Sequence, residues 1–285
     1  MKKLKKIKKP FTRKLSEFEL AYLEELVKYD KVLNTTMLIS QNQQEINTTG
    51  RGVRASKILT RQTIIAMSLK NILPYPTKSK HHEEDLWDIC SISSLARNIM
   101  EGYISIYYFG TEEVTEQDAE LRFFLFQYHR NREWYQIRRK FGEKEDDLSD
   151  FKNVLEEQKK NIREHPFLSQ LTDIQKNKVS QGHEIYKTKS DFENENTLCH
   201  GLVKNYQLLS NLVHPLPFSI ERMDNEKGRG IGHKTDINYC IIALIIARKY
   251  LAASTIAFTD FLNEELRKKF KNVLDDIRPF QSEET

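Results

Sequence analysis

Tyr206, Ser210 and His214 stand four residues apart in the stretch YQLLSNLVHPLPF. On a helix that spacing is one turn plus a small offset, so the three side chains share a face. An imidazole that titrates near neutrality beside two hydroxyls is suited to proton transfer. The same histidine, placed before Pro215, also suits a plain helix end, where a cation meets the dipole and bonds the last carbonyls. Arg97 and Glu101, at i and i+4, form a second polar pair. Their neighbours Leu95, Ile99, Met100, Tyr103 and Ile104 are apolar, so a charged pair there must be satisfied. That fits a functional cluster or a lock between helices.

Arg122 and His129, in RFFLFQYH, are a third candidate pair on roughly one helix face. The segment Gly228-Arg-Gly-Ile-Gly-His233 contains GxG without GxGxxG or GK[ST], so a flexible loop is the default and a nucleotide cradle the weaker reading. Its Arg229 and His233, with Lys234, could reach a phosphate near His214. No G-x-S-x-G elbow occurs, which argues against a serine esterase. The absence of CxxC and HxxxH spacings leaves no metal or cofactor site to expect.

The elements that must position these residues read as helices. A capping box, Ser16-x-x-Glu19, opens one over 16–40, and a polar loop is expected over 41–52. Further helices are expected over 55–71, over 85–109 and from the Thr115 cap to near Gly142, with a charged amphipathic one over 146–164. In the 85–109 helix an apolar side runs through Ile92, Ala96, Ile99 and Tyr103, beside a polar stripe of Ser94, Arg97, Glu101, Ser105 and Tyr108. Residues 166–195 read as an irregular polar insertion. Helices over 196–213, 236–262 and 263–277 complete the chain. The 236–262 helix is apolar on nearly all sides and belongs in the middle of a bundle.

Composition agrees. Ten glycines and seven prolines in 285 residues are too few for many short strands. The fold class is therefore all-α, a multi-helix bundle over 16–285 preceded by a basic tail over 1–15. That tail carries eight Lys and Arg before Leu15 and no acid; removing eight from 45 leaves 37 bases against 41 acids, so the body is acidic although the net charge is +4. Such a tail could hold RNA, DNA or an anionic surface, or be a solvated terminus. No secretory signal is visible, and the apolar run Cys240–Ala247 is far short of the roughly 20 residues of a membrane span. Cys90, Cys199 and Cys240 fit reduced core thiols, and with them a cytoplasmic protein.

The helix with Ser93-Ser-Leu-Ala-Arg-Asn-Ile-Met-Glu101, followed by Tyr206-x-x-x-Ser-x-x-x-His214, a loop and a closing apolar helix, resembles an all-helical family placed near the HEPN superfamily. The resemblance spans roughly residues 55 to 260 in order of elements. It implies a helical bundle, often a homodimer, and for active members metal-independent RNA cleavage in toxin or antiviral-defence settings. In that reading His214 is the general acid or base, Arg97 stabilises the phosphate, and Glu101, Tyr206 and Ser210 orient them. The basic tail and the Arg229, His233 and Lys234 loop would hold the RNA. Active HEPN nucleases are similar in having an Arg separated from the catalytic His by four to six residues, and Gln207, Leu208 and Leu209 stand at those positions instead. Arg97 would supply the charge from its own helix; Arg122 with His129 is the alternative pair. Outside catalysis, the same features suit a binding or scaffold module, or a nucleotide pocket.

Overall fold

The computed structural model describes residues 14–43, 48–76, 85–144, 146–221, 230–262 and 264–282. Most of the basic tail, Arg229 and the first glycine of its loop lie outside the described residues. The described residues form helices and no strand. The twelve α-helices are α1 (Glu17–Gln41), α2 (Gly50–Ile72), α3 (Ile89–Ile106), α4 (Glu116–Lys140), α5 (Ser149–Arg163), α6 (Asp173–Ser180), α7 (Lys189–Glu195), α8 (Leu202–Val213), α9 (Pro217–Glu221), α10 (Lys234–Leu262), α11 (Glu264–Lys269) and α12 (Lys271–Ile277).

Local chemistry sets many of the boundaries. Ser16 and Glu19 close the expected capping box at the start of α1, and Thr115 caps α4 through the Asp118 N–H. Thr49 caps α2, which therefore begins inside the stretch expected to be a loop. The 166–195 segment is likewise more regular than expected. Thr172 with Gln175, and Thr188 with Asp191, form capping boxes that nucleate α6 and α7. These short helices have little apolar periodicity, so the cap signatures were the signal to read.

The bundle is organised around α10, which packs against α1, α2 and α3. Its Cys240, Ala243, Leu244, Ala247, Leu251 and Phe258 are buried. By length and apolarity α10 could cross a bilayer, but 78% of its most apolar window is covered by the rest of the protein. Each fully buried Leu, Ile or Phe contributes roughly 1.5–3 kcal/mol, so this helix is a principal source of stability. Two hydrogen bonds bridge the seams: Thr36 Oγ1 meets Thr255 Oγ1 at 2.7 Å, and the Tyr29 hydroxyl donates to the Ala66 carbonyl at 2.8 Å. Cys199 and Cys240 are core thiols as expected, whereas Cys90, in the first turn of α3, is exposed.

The end of α3 departs from α geometry. Tyr107–Thr111 winds as a π turn, closed by the Glu112 N–H donating to the Tyr107 carbonyl at 2.9 Å. Such turns recur at functional sites because they insert a residue and redirect side chains. Gly110 within it lies against α2, where an added Cβ would stand 2.7 Å from that of Ala55. The wider winding carries Tyr108 off the polar stripe and into a buried cluster described below.

Candidate functional site: a half-open arginine beside a lysine-lined pocket

The α3 stripe and α8 meet. Arg97 Nε donates to Glu101 Oε1 at 3.1 Å, and its Nη2 donates to the Tyr206 hydroxyl at 2.8 Å. Its guanidinium carbon also stands 4.6 Å from the Tyr206 ring centre, over the face that attracts cations. Gly201, at φ 79, lets the chain turn into α8, and its N–H is held by Glu193. Asn196 bonds Tyr103 while Tyr206 bonds Arg97, so residues 196–213 run antiparallel to α3.

That direction decides the place of the histidine. His214 lies eight residues past Tyr206, roughly 12 Å of helix rise, toward the start of α3 and away from Glu101. It is exposed and caps α8, with its carbonyl accepting from the Leu216 N–H and the Ser219 hydroxyl. Its imidazole has no hydrogen bond among the described residues. Ser210 Oγ, between the two, is buried and lacks a partner among them. The structure thus joins Arg97, Glu101 and Tyr206, and it joins neither Ser210 nor His214 to them by a hydrogen bond.

The glycine loop also stands apart. The Gly230 carbonyl accepts from the Trp87 N–H at 2.8 Å, and His233 Nδ1 accepts from the Thr235 N–H at the start of α10. Behind it Asp236 is wholly buried. Burial pushes the carboxyl pKa up, against smaller opposing pulls from His233, Gly230 and Ile231 nearby, and neither carboxyl oxygen has a hydrogen-bond partner among the described residues. A carboxylate behind the loop disfavours a phosphate there. Lys234 is exposed at the helix start and makes no contact with Arg97.

What Glu101 does face is the segment expected to be an irregular insertion, and Lys189 of that segment reaches the tyrosine that holds Arg97. Glu101 and Ser105 form one side of a pocket of about 350 Å³ whose other side carries Lys178, His183, Glu184, Lys187 and Lys189. Lys189 Nζ stands 3.7 Å from the Tyr206 ring centre, on the tyrosine that holds Arg97. Lys178 Nζ donates to the Lys187 carbonyl, and Lys187 Nζ is held by Glu112 and Glu195. Burial, then the neighbouring Lys189, lowers the Lys178 pKa, against smaller opposing pulls from Asp191 and Glu184. None of these five residues was singled out from sequence. The repeated Lys176-x-Lys178 and Lys187-x-Lys189 around Gly182 were the available signal.

Arg122 has the opposite character. Its Nε and Nη2 grip the Asp118 carboxylate at 2.8 and 2.9 Å, Nη1 donates to Glu112 and to the Tyr108 carbonyl at 2.7 Å each, and Nη2 reaches the Tyr186 hydroxyl at 3.4 Å. The Tyr186 hydroxyl in turn donates to Asp118 at 2.7 Å. Every N–H of the guanidinium is used, and the side chain is 3% exposed. His129 lies elsewhere, 3.4 Å from Glu184, and shares no partner with Arg122. Arg122 is committed to holding α4, the π turn and the 166–195 segment together.

Among the described residues no group of three or more His, Cys, Asp or Glu side chains is placed to hold a metal ion. Comparison with protein-family models, with curated proteins and with solved structures finds no match for this chain.

Proposed function

We propose that this protein binds a phosphate-bearing ligand, RNA before others, in the pocket between α3 and the 173–195 segment. One observation carries the reading: Arg97, whose Nη1 has no partner among the described residues, is held by Glu101, which lines a pocket bearing three lysines, and by Tyr206, on whose ring Lys189 sits. A guanidinium oriented by neighbours and left with a free N–H edge suits bidentate recognition of phosphate oxygens. Lys178 and Lys189 add point charge on the facing wall. A pocket of about 350 Å³ is of the size of small-ligand sites and would take one nucleotide unit of a strand.

The cleaving form of this proposal is a metal-independent ribonuclease. It needs a base for the 2′-hydroxyl, an acid for the leaving oxygen and positive charge at the phosphate. Arg97 meets the last need. His183 is the imidazole that lines the pocket, so it takes precedence over His214 for proton transfer. A toxin or defence role would follow from this form alone.

The test is fluorescence anisotropy with labelled single-stranded RNA, wild type beside Arg97→Gln, together with gel analysis of the same RNA in chelator. Binding that survives Arg97→Gln undiminished would sink the proposal. Cleavage lost in His183→Ala and kept in His214→Ala supports the cleaving form; binding without cleavage at any protein level leaves a binding module.

A further inference from the structure

A second pocket, of about 220 Å³, lies where α4, α5, the turn over Pro166–Gln170 and α6 meet. The charges on its walls are all of one sign. Lys159 and Arg163 enter from α5, one turn apart, and Lys176 enters from α6; among the described residues no carboxylate lines it. None of the three cations makes an ion pair or a side-chain hydrogen bond among those residues. Arg122, Lys187 and Arg138, by contrast, each hold a carboxylate. Lys159 is half-buried, and a like charge four residues on works against the helix that carries both. An ammonium partly withdrawn from water beside two further cations calls for an anion.

The uncharged lining says what that anion is attached to. Ile162 and Val179 are buried, and with half-buried Leu168 they give the pocket an apolar surface. Tyr128 adds a hydroxyl that makes no hydrogen bond among the described residues, a donor left for a ligand oxygen. The fork of an arginine matches phosphate oxygens, and lysines supply point charge beside it. A phosphate monoester carries about 1.5–2 negative charges at pH 7, a better match to three cations than a single carboxylate. Sites for drug-sized ligands run from roughly 300 to 1,000 Å³, so the body of this ligand is one small ring or a short chain.

We propose that this pocket binds a small phosphate monoester, with the phosphate on Arg163, Lys159 and Lys176 and the carbon body on Ile162, Leu168 and Val179. The site is independent of the pocket proposed for RNA. Helix α6 serves both, with Lys176 lining one and Lys178 the other, and the two share no lining residue.

Methyl NMR of the full chain, titrated with phenyl phosphate, tests it. Saturable shifts of the Ile162, Leu168 and Val179 methyl groups are expected, kept in Arg97→Gln and about tenfold weaker in affinity in Lys159→Gln/Arg163→Gln. Phenyl sulfate, of the same shape with one charge, and inorganic phosphate, with no carbon body, should each bind more weakly than phenyl phosphate. Arg163→Gln alone, an exposed change, keeps the test valid if the double variant loses its melting transition. Absence of saturable shifts, unchanged affinity in Arg163→Gln, or equal affinity for phenyl sulfate or inorganic phosphate would overturn the proposal. Loss of the shifts in Arg97→Gln would overturn it too, by returning the ligand to the other pocket.

Discussion

Arg97 in α3 and Arg122 in α4 each have a carboxylate one helical turn away and a tyrosine hydroxyl from a distant segment, yet one side chain is 24% exposed and the other 3%. The difference lies in what covers them. Around Arg122, Tyr186, Lys187 and the π turn fold inward, and two carboxylates neutralise it. Around Arg97, the same 166–195 segment stops short and leaves a pocket edged with ammonium groups. A sealed charge network locks elements in place, because removing one member strands the others without water. A half-open one keeps donors available for something that arrives from solution.

The largest effect is expected at Arg122. Arg122→Leu leaves Asp118 a buried carboxylate with no cation and Glu112 with Lys187 alone, and a loss of about 3–5 kcal/mol is expected in urea denaturation. RNA affinity of the protein that remains folded should be unchanged.

Arg97→Gln should lower RNA affinity by tenfold or more, since hydrogen bonds to charged groups are worth about 1.5–3 kcal/mol. Its stability should fall by less than about 1 kcal/mol, as expected for a solvent-screened pair. A drop in denaturation midpoint as large as that of Arg122→Leu would erase the distinction between the two clusters.

Tyr206→Phe and Tyr186→Phe make a matched pair. Each removes one hydroxyl and should cost about 1 kcal/mol or less where the cluster is open, and more where Asp118 loses a buried donor. Double-mutant cycles with the respective arginines measure that contrast.

The smallest effect is in pH. Lys178 titrates below the ordinary lysine value in the free protein. A bound phosphate favours its protonated form, so RNA affinity should fall as pH rises through that lowered pKa, still below the usual lysine range. Lys178→Arg, which keeps its charge, should flatten the anisotropy profile over the same window; a profile with the same slope would remove Lys178 from the pocket's charge.

Much of the helical framework was legible because its signals are local. The Ser16/Glu19 box, the Thr115 cap and the all-round apolarity of 236–262 each act within a turn or two of chain, and the structure has them where expected. The order Asp118 before Arg122 is the better i,i+4 orientation on a helix, a local hint of the stronger pair. The π turn was not legible, since its five-residue closure depends on packing against Ala55 of α2. Neither was the helical character of 166–195, whose short α6 and α7 rely on capping boxes more than on periodicity. Tyr206 and Ser210 lie one turn apart within α8 while His214 is its extended cap, and which of them meets Arg97 depends on the antiparallel offset of two helices.

Helical period and capping are properties of neighbouring residues, so the all-helical chain, the polar stripe on α3 and the pairing of Arg97 with Glu101 follow from local sequence alone. That Arg122 is sealed, that Arg97 is half-open, and that Lys178, His183, Lys187 and Lys189 share a pocket with Glu101 came from the packing of distant segments. Exposure and long-range charge contacts are set by which distant segment comes to lie on a face, and no local spacing encodes that.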